Sequence, residues 1–197
     1  MVDPKKVALV AGAASPLGES AAEILAEQGY FVALCDLSSE ACARIEKKLH
    51  SKGLTAQAVP ADASKKLAFQ TMLEHLLEEH QHVDLLVNAS MVASQHPFLE
   101  ADEWDWRRAL DMNLNSVFVA TQSVGRVFRE LEAGHVINVL DSTASQNSLA
   151  YQTAAAAVQS FSKLIREELQ PFNIVVDCFW AAPDTDQLSQ RILESLE

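Results

Sequence analysis

The sequence predicts an α/β fold in which one parallel sheet of about six strands carries helices on both faces, a doubly wound arrangement. Short apolar runs rich in β-branched residues alternate with longer segments of helical periodicity along the whole chain. A glycine-containing turn follows the first apolar run, and no low-complexity linker or internal repeat divides the 197 residues. Because parallel strands need crossover connections, this strict alternation favours a single domain over residues 1–197.

Each element is predicted from its own pattern of residues. Strands are placed on the short apolar runs, and helices where apolar residues recur every three or four positions, as Cys42, Ile45 and Leu49 do. Gly29 and Gly53 follow two of these helices and are suited to end them. The predicted strands are 6–12, 30–36, 55–62, 83–90, 135–140 and 173–180, and the predicted helices are 17–29, 38–53, 65–80, 103–131, 150–169 and 185–197.

Composition and charge argue against several classes of protein. The chain has 27 acidic and 15 basic residues, a formal net charge of -12 and no dense basic patch, so we expect no nucleic-acid partner. No apolar run reaches the roughly 18 residues of a membrane helix, so we expect no membrane partner. Three cysteines without a CxxC pair fit reduced thiols and predict a cytoplasmic location. His75, His80 and His82 spread around a helix end, and no metal site is expected.

The first strand-to-helix turn has the features of a dinucleotide site. Gly12 and Gly18 bracket the turn, where backbone N–H groups at a helix N-terminus can hold a pyrophosphate. Asp36 ends the second predicted strand 18 positions after Gly18, near the spacing at which a carboxylate accepts hydrogen bonds from ribose hydroxyls. A carboxylate there would repel a 2′-phosphate, which favours NAD(H) over NADP(H). The alternative is that the glycines only turn the chain and Asp36 caps the next helix.

Several motifs in chain order resemble those of the short-chain dehydrogenase/reductase family, whose fold is Rossmann-like. "AGAASPLG" at 11–18 resembles the family's TGxxxGxG turn, "PADAS" includes its adenine-contacting aspartate, and "VNAS" at 87–90 resembles its NNAG motif. The resemblance implies an NAD(P)(H)-dependent oxidoreductase of a small carbonyl, imine or pterin-like substrate. The cofactor contacts predicted from the turn and from the resemblance are Gly12, Ser15, Leu17, Gly18, Asp36, Asp62, Asn88 and Ala89.

The same resemblance implies a reaction centre. Tyr151 in "AYQTAAAAV" matches the tyrosine that moves a proton in the family, and Asn113 matches the helix asparagine that anchors a water. The family's serine falls on Asp141, with Ser142 next. The lysine that usually follows the tyrosine by one helical turn is replaced by Ala155.

These departures predict weakened proton transfer. A phenol with a pKa of about 10 is a poor base at neutral pH without a nearby ammonium, and Ala155 supplies none. An ionised Asp141 only accepts hydrogen bonds and would raise the pKa of Tyr151, whereas a protonated Asp141 could orient the substrate as an acid.

Two functions stay open: an oxidoreductase with an impaired catalytic set, or a non-catalytic dinucleotide-binding or interaction protein, a pseudoenzyme, in a homo- or hetero-oligomer. In the second case Tyr151 is a packed aromatic, and Asn113 is a helix-kink or water-binding residue. Pro16 lacks an N–H group, which leaves open that no cofactor binds.

The helices also predict self-association. Relatives in the family dimerise through the helices that correspond to 103–131 and 151–169, and the run at 115–128 has more apolar residues than one buried stripe needs. We therefore expect a homodimer or homotetramer through these helices. The predicted strand 173–180 would lie at the sheet edge, and the final helix, with apolar residues at i, i+4 and i+8, is suited to cover it or to meet another subunit.

Overall fold

The structure is a computed structural model that describes residues 5–93, 96–143, 148–183 and 186–196. The strands are β1 Val7–Ala11, β2 Phe31–Cys35, β3 Ala56–Ala58, β4 Leu85–Asn88, β5 Gly134–Asp141 and β6 Ile174–Ala181. The helices are α1 Pro16–Glu27, α2 Ser39–Ser51, α3 Lys66–His80, α4 Glu103–Leu110, α5 Ser116–Leu131, α6 Leu149–Leu169 and α7 Asp186–Leu196.

The strands form one parallel sheet in the order β3-β2-β1-β4-β5-β6, which confirms the predicted doubly wound, Rossmann-like fold. The chain runs outward from β1 to β3 on one side and from β4 to β6 on the other. The strand order therefore reverses between β1 and β4. Ligands of such sheets bind beside this reversal, at the carboxyl ends of the strands.

Two apolar layers hold the helices against the sheet. On one face, α1, α2 and α7 contribute buried side chains such as Leu25, Ile45 and Ile192. On the other face, α3 and α5 contribute Phe69 and Phe128. Burying one such side chain contributes about 1.5–3 kcal/mol, so these layers fix the strand ends that form the site.

The predicted helix over 103–131 contains a π-helical turn. Asp111–Asn115 form this turn between α4 and α5. Buried in it, Asn113 donates from its side-chain amide to the Val92 carbonyl oxygen at 2.6 Å and accepts from the Val92 N–H at 2.8 Å. The turn thereby fastens the segment after β4 to the helix. Single π turns inside α-helices are frequently found at functional sites.

The edge strand β6 is covered on one face by α7. Ile192 is fully buried there, and the Ser195 hydroxyl donates to Asp177 at 2.5 Å. Arg166 Nε donates to the Val176 carbonyl oxygen at 2.7 Å, and a charged side chain on an edge discourages pairing with another strand. Throughout the described ranges, every helix is too short or too polar to cross a bilayer.

Candidate functional site

The turn between β1 and α1 is a tight backbone cradle. Gly12 has a φ of +84°, and a Cβ there would lie 2.4 Å from the backbone N of Ser90. A Cβ on Gly18 would lie 2.1 Å from the Gly12 carbonyl oxygen, so both positions require glycine. The Ser15 hydroxyl caps α1 by accepting from the Gly18 N–H at 2.9 Å, and it donates to the Ala89 carbonyl oxygen at 2.6 Å. The cradle therefore joins the carboxyl ends of β1 and β4.

The N-terminus of α1 offers a donor to an anion. Within the described part of the chain, the Leu17 N–H has no hydrogen-bond acceptor. Pro16 occupies the first helical position, where an N–H would have no intrahelical partner in any case. The helix macrodipole adds about half a positive charge at this end. Pro16 thus costs one donor, while the remaining geometry fits a pyrophosphate.

Two carboxylates follow β2 and β3. Asp36 accepts hydrogen bonds from the Ala14 N–H at 3.1 Å and the Ser38 N–H at 3.0 Å. Asp62 accepts from the N–H and the hydroxyl of Ser64 at 2.9 and 2.6 Å. The side-chain cap of α2 is Ser38, so Asp36 links the glycine turn to α2 instead of capping that helix. Because a carboxylate has about four acceptor positions, Asp36 retains acceptors for ribose hydroxyls.

Tyr151 lies in the first turn of α6 and is only 2% exposed. Its hydroxyl oxygen accepts a hydrogen bond from the Asp141 N–H at 2.6 Å, and its own N–H donates to the Ser148 hydroxyl at 3.2 Å. Burial raises the pKa of Tyr151 to about 12; the Asp141 N–H opposes this rise, and the Asp141 carboxylate adds to it. At physiological pH the side chain is therefore a neutral phenol that keeps its proton.

The Asp141 carboxylate is held by the residues that follow β5. One of its oxygens accepts from the N–H and the hydroxyl of Thr143 at 2.7 and 2.6 Å. The Ser142 N–H donates to the Ala181 carbonyl oxygen at 2.9 Å, which extends the pairing with β6. The structure thus brings Asp141 to Tyr151 through its backbone N–H.

An apolar cluster surrounds Ala155, which lies one helical turn after Tyr151 and is 1% exposed. The buried members of this Tyr151 cluster are Val117, Leu140, Tyr151, Ala155 and Val158, and Met91 and Trp180 are among the half-buried side chains packed against them. Beside the cluster is a cavity of about 10 Å³, lined also by the predicted site residues Asn88 and Asn113. Among the described residues, no lysine or arginine lines this cavity.

Asn88 belongs to a buried polar network. Its amide nitrogen donates to Thr121 at 3.2 Å and to Asn138 at 2.8 Å, and the Asn138 amide nitrogen donates to Ser162 at 2.8 Å. The network joins β4, β5, α5 and α6 behind the Tyr151 cluster. Sequence reasoning placed Asn88 at the cofactor but missed Thr121, Asn138 and Ser162. The one signal in the sequence was that Asn138, like Asn88, interrupts an otherwise apolar strand, and the structure pairs the two positions on adjacent strands.

The predicted site residues fall into two groups in the structure. The residues predicted to contact a cofactor lie around the carboxyl ends of β1 to β4, and they are Gly12, Ser15, Leu17, Gly18, Asp36, Asp62, Asn88 and Ala89. The residues predicted to take part in the reaction lie at the end of β5, and they are Asp141, Ser142, Tyr151 and, across the cavity, Asn113. Within the described ranges, no three His, Cys, Asp or Glu side chains are grouped so that they could hold a metal ion.

Comparison with known proteins identifies the family. Residues 6–190 match the short chain dehydrogenase family, and the chain belongs to it, which confirms the resemblance seen in the motifs. The chain is 29% identical to the 5-keto-D-gluconate 5-reductase of Escherichia coli (strain K12) over 172 residues, which are 86% of this chain and 68% of the relative. The relatives include other dehydrogenases and reductases of small substrates, and the family uses nicotinamide dinucleotides.

Two solved structures share the fold. An NAD+-bound xylitol dehydrogenase has a TM-score of 0.84 and 24% identity, with 98% of this chain and 77% of that chain covered. An actinorhodin polyketide ketoreductase with NADPH has a TM-score of 0.89 and 19% identity, with 98% and 90% covered. One structure carries NAD+ and the other NADPH, so these similarities do not decide between the two cofactors.

Proposed function

We propose that this chain is a nucleotide-binding member of the family that works as a regulator or as a silent subunit, and that it is not an efficient oxidoreductase. The environment of Tyr151 carries the proposal. Its phenol is buried, is bound to the Asp141 N–H at 2.6 Å, and lies beside Ala155 and other apolar side chains where a base would need an ammonium. Losing one positioned acid/base group typically lowers a rate by about 10²- to 10⁴-fold.

The nucleotide is proposed to be NAD(H) in preference to NADP(H). The Asp36 carboxylate lies beside the cradle and already accepts hydrogen bonds from Ala14 and Ser38 on either side. It can accept further bonds from ribose hydroxyls, whereas a 2′-phosphate in the same place would meet a like charge.

A reductase is the second candidate, acting on a small carbonyl, imine or pterin-like substrate. The observation that favours it is the raised pKa of Tyr151, about 12, because a neutral phenol can donate a proton but rarely removes one. Asp141, fixed by Thr143, would orient that donor. This candidate predicts measurable reduction and almost no oxidation.

The proposed assembly is a homodimer or homotetramer through α5 and α6. A groove of about 380 Å³ lies between these helices and is lined by Phe118, Phe161 and Phe172. Phe118 and Phe161 meet edge to face at 6.3 Å, and Leu164 on α6 is exposed. Light scattering at micromolar concentration tests this proposal, and a monomer there would contradict it.

The three unpaired thiols support a proposed cytoplasmic location.

Calorimetric titration and turnover assays together test the main proposal. We expect NADH to bind, NADPH to bind more weakly, and a carbonyl, imine and pterin panel to give no turnover above background in either direction. A wild-type rate of about 1–10³ s⁻¹, the ordinary range for enzymes, would contradict the proposal. Reduction alone at a lower rate would favour the second candidate.

A double variant identifies the cause of the missing turnover. Ala155→Lys with Asp141→Ser restores the side chains found in the family, and Ala155→Met with Asp141→Ser is the matched control, similar in length but without the charge. Recovery in the lysine variant alone would show that only proton transfer is missing. If both variants fold and neither turns over, the loss extends beyond proton transfer to other parts of the site.

A further inference from the structure

Two buried side-chain atoms without a hydrogen-bond partner belong to residues that meet the same carboxylate. Among the described residues, Gln57 Oε1 on the edge strand β3 and His80 Nε2 at the end of α3 are both covered from solvent and unpaired. An unsatisfied buried polar atom costs about 1–3 kcal/mol, so each of these atoms requires an explanation, of which a bound ion is one.

The Glu79 carboxylate contacts both residues. Its Oε2 accepts a hydrogen bond from Gln57 Nε2 at 2.9 Å, and its Oε1 lies 3.8 Å from His80 Nε2. The first contact fixes the Gln57 carboxamide, because turning it over would place its oxygen against the carboxylate. The second contact is too long for a hydrogen bond. Glu79 is therefore flanked by a free carboxamide oxygen and a free imidazole nitrogen.

The His80 ring is held in place by an aromatic neighbour. Its centroid lies 4.1 Å from that of the Phe31 ring, and the His80 side chain is only 18% exposed. The sequence pattern placed His80 at a helix end with no metal site expected, and it did not reveal this burial. A side chain that is already ordered loses little further entropy when it binds a ligand.

The separation of His80 and Glu79 is close to that of two ligands on one metal ion. Imidazole nitrogen and carboxylate oxygen bind Zn²⁺ at about 2.0–2.2 Å, so two such atoms at a tetrahedral angle are about 3.4 Å apart. A shift of about 0.4 Å brings the two atoms from 3.8 Å to that separation. The formal net charge of -12 also favours the approach of a cation.

We propose that His80, Glu79 and Gln57 bind a divalent transition-metal ion of the Zn²⁺ class, with water completing its coordination. The imidazole selects such ions, because Mg²⁺ and Ca²⁺ prefer oxygen ligands. Only two of the ligands are of the His, Cys, Asp or Glu types, and the third is a carboxamide oxygen. The ion would tie the edge strand β3 to the end of α3. The proposal is independent of the proposed function, since its residues are not those predicted to contact a nucleotide.

Calorimetric titration of the full chain with Zn²⁺ tests the proposal. His80→Ala is expected to weaken the tightest Zn²⁺ binding by at least about 100-fold, more than the loss of an outer-shell partner usually costs. Glu79→Gln is expected to weaken it by at least about tenfold. Millimolar Mg²⁺ is expected not to compete. Cu²⁺ is expected to bind more tightly than Zn²⁺ and to show nitrogen coupling in its EPR spectrum that His80→Ala removes.

His82→Ala and Glu78→Gln are the matched controls. His82 Nε2 also faces a carboxylate, 3.4 Å from Asp84 Oδ2, but that oxygen already accepts from the Val7 N–H at 2.7 Å. Glu78 precedes Glu79 on α3 and is exposed. Both controls are expected to keep the wild-type affinity for Zn²⁺.

Zn²⁺ binding that persists unchanged in His80→Ala, or that is lost in His82→Ala, would overturn the proposal. A wild-type chain that binds no Zn²⁺ would overturn it as well. Far-UV circular dichroism checks that each variant is folded, and Zn²⁺ is expected to raise the melting temperature of the wild type but not that of His80→Ala. Titration with NADH measures nucleotide binding separately, so either proposal can fail without the other.

Discussion

Replacing Tyr151 by phenylalanine removes one buried hydroxyl and keeps the ring in the Tyr151 cluster. In the wild type the hydroxyl oxygen accepts from the Asp141 N–H at 2.6 Å, and Asp141 is buried. Phenylalanine leaves this N–H without that acceptor, and an unsatisfied buried donor costs about 1–3 kcal/mol. We expect the free energy of unfolding to fall by about 1.5 kcal/mol. For a chain of this length, the melting temperature would fall by about 3–6 °C.

Urea unfolding followed by circular dichroism measures this change, and an unchanged m value would show that the same surface is exposed on unfolding. Tyr30→Phe is the matched control, because Tyr30 is the only other tyrosine and is also buried. Across the described residues, its hydroxyl has no hydrogen bond. The control is expected to change stability by less than about 0.5 kcal/mol.

An unchanged or increased stability of Tyr151→Phe would refute this reasoning. That result is typical of a side chain retained for chemistry at some cost to stability. It would return Tyr151 to the role of a proton donor and favour the reductase over the silent subunit.

Two further predictions concern an ion pair and the π-helical turn. The Arg44 guanidinium lowers the pKa of Glu19 to about 2 from 4.5. The ion pair therefore stabilises the folded state fully above about pH 4.5, and this stabilisation is lost as the pH falls towards 2. Arg44 is more than half exposed, so solvent screens the pair, and we expect Glu19→Gln to lower the free energy of unfolding by about 1 kcal/mol at pH 7. Urea unfolding is also expected to show a smaller loss of stability in the variant than in the wild type as the pH is lowered. An equal loss in the two proteins would contradict this. Asn113→Ala removes both hydrogen bonds to Val92 and is expected to lower the free energy of unfolding by about 2 kcal/mol. Hydrogen exchange at the Val92 amide is expected to become faster. Unchanged exchange would show that other contacts hold this segment.

The order and type of the main elements could be predicted because parallel strands buried on both faces appear as continuous apolar runs. Boundaries depended on tertiary pairing. The third strand was predicted over 55–62 but spans only Ala56–Ala58, and Pro60, which cannot donate a ladder hydrogen bond, lies just beyond it. The π-helical turn shifts the helical period by a single residue and is fixed by a contact with Val92, 21 positions away, which periodicity does not reveal.

The residues of the candidate site were predicted from sequence motifs, but the surroundings in which the structure places them could not be predicted. The replacement of a lysine by Ala155 is visible in the motif. The filling of the space around it depends on the pairing of Leu140 with Trp180, which only the strand register determines. The Tyr151 hydroxyl meets the backbone of Asp141, and a backbone donor leaves no mark on the sequence. The chemical roles assigned to Tyr151 and Asp141 remain predictions.

A spectrophotometric pH titration of the Tyr30→Phe variant, in which Tyr151 is the sole tyrosine, examines the state of the phenol directly. We predict no phenolate absorbance up to pH 10.0 and a rise towards about 12, with stability lost over the same interval because the pKa is raised in the folded state. Phenolate forming with a midpoint near pH 7 would require a cation against the hydroxyl, and it would contradict the claim that this tyrosine has become part of the packing.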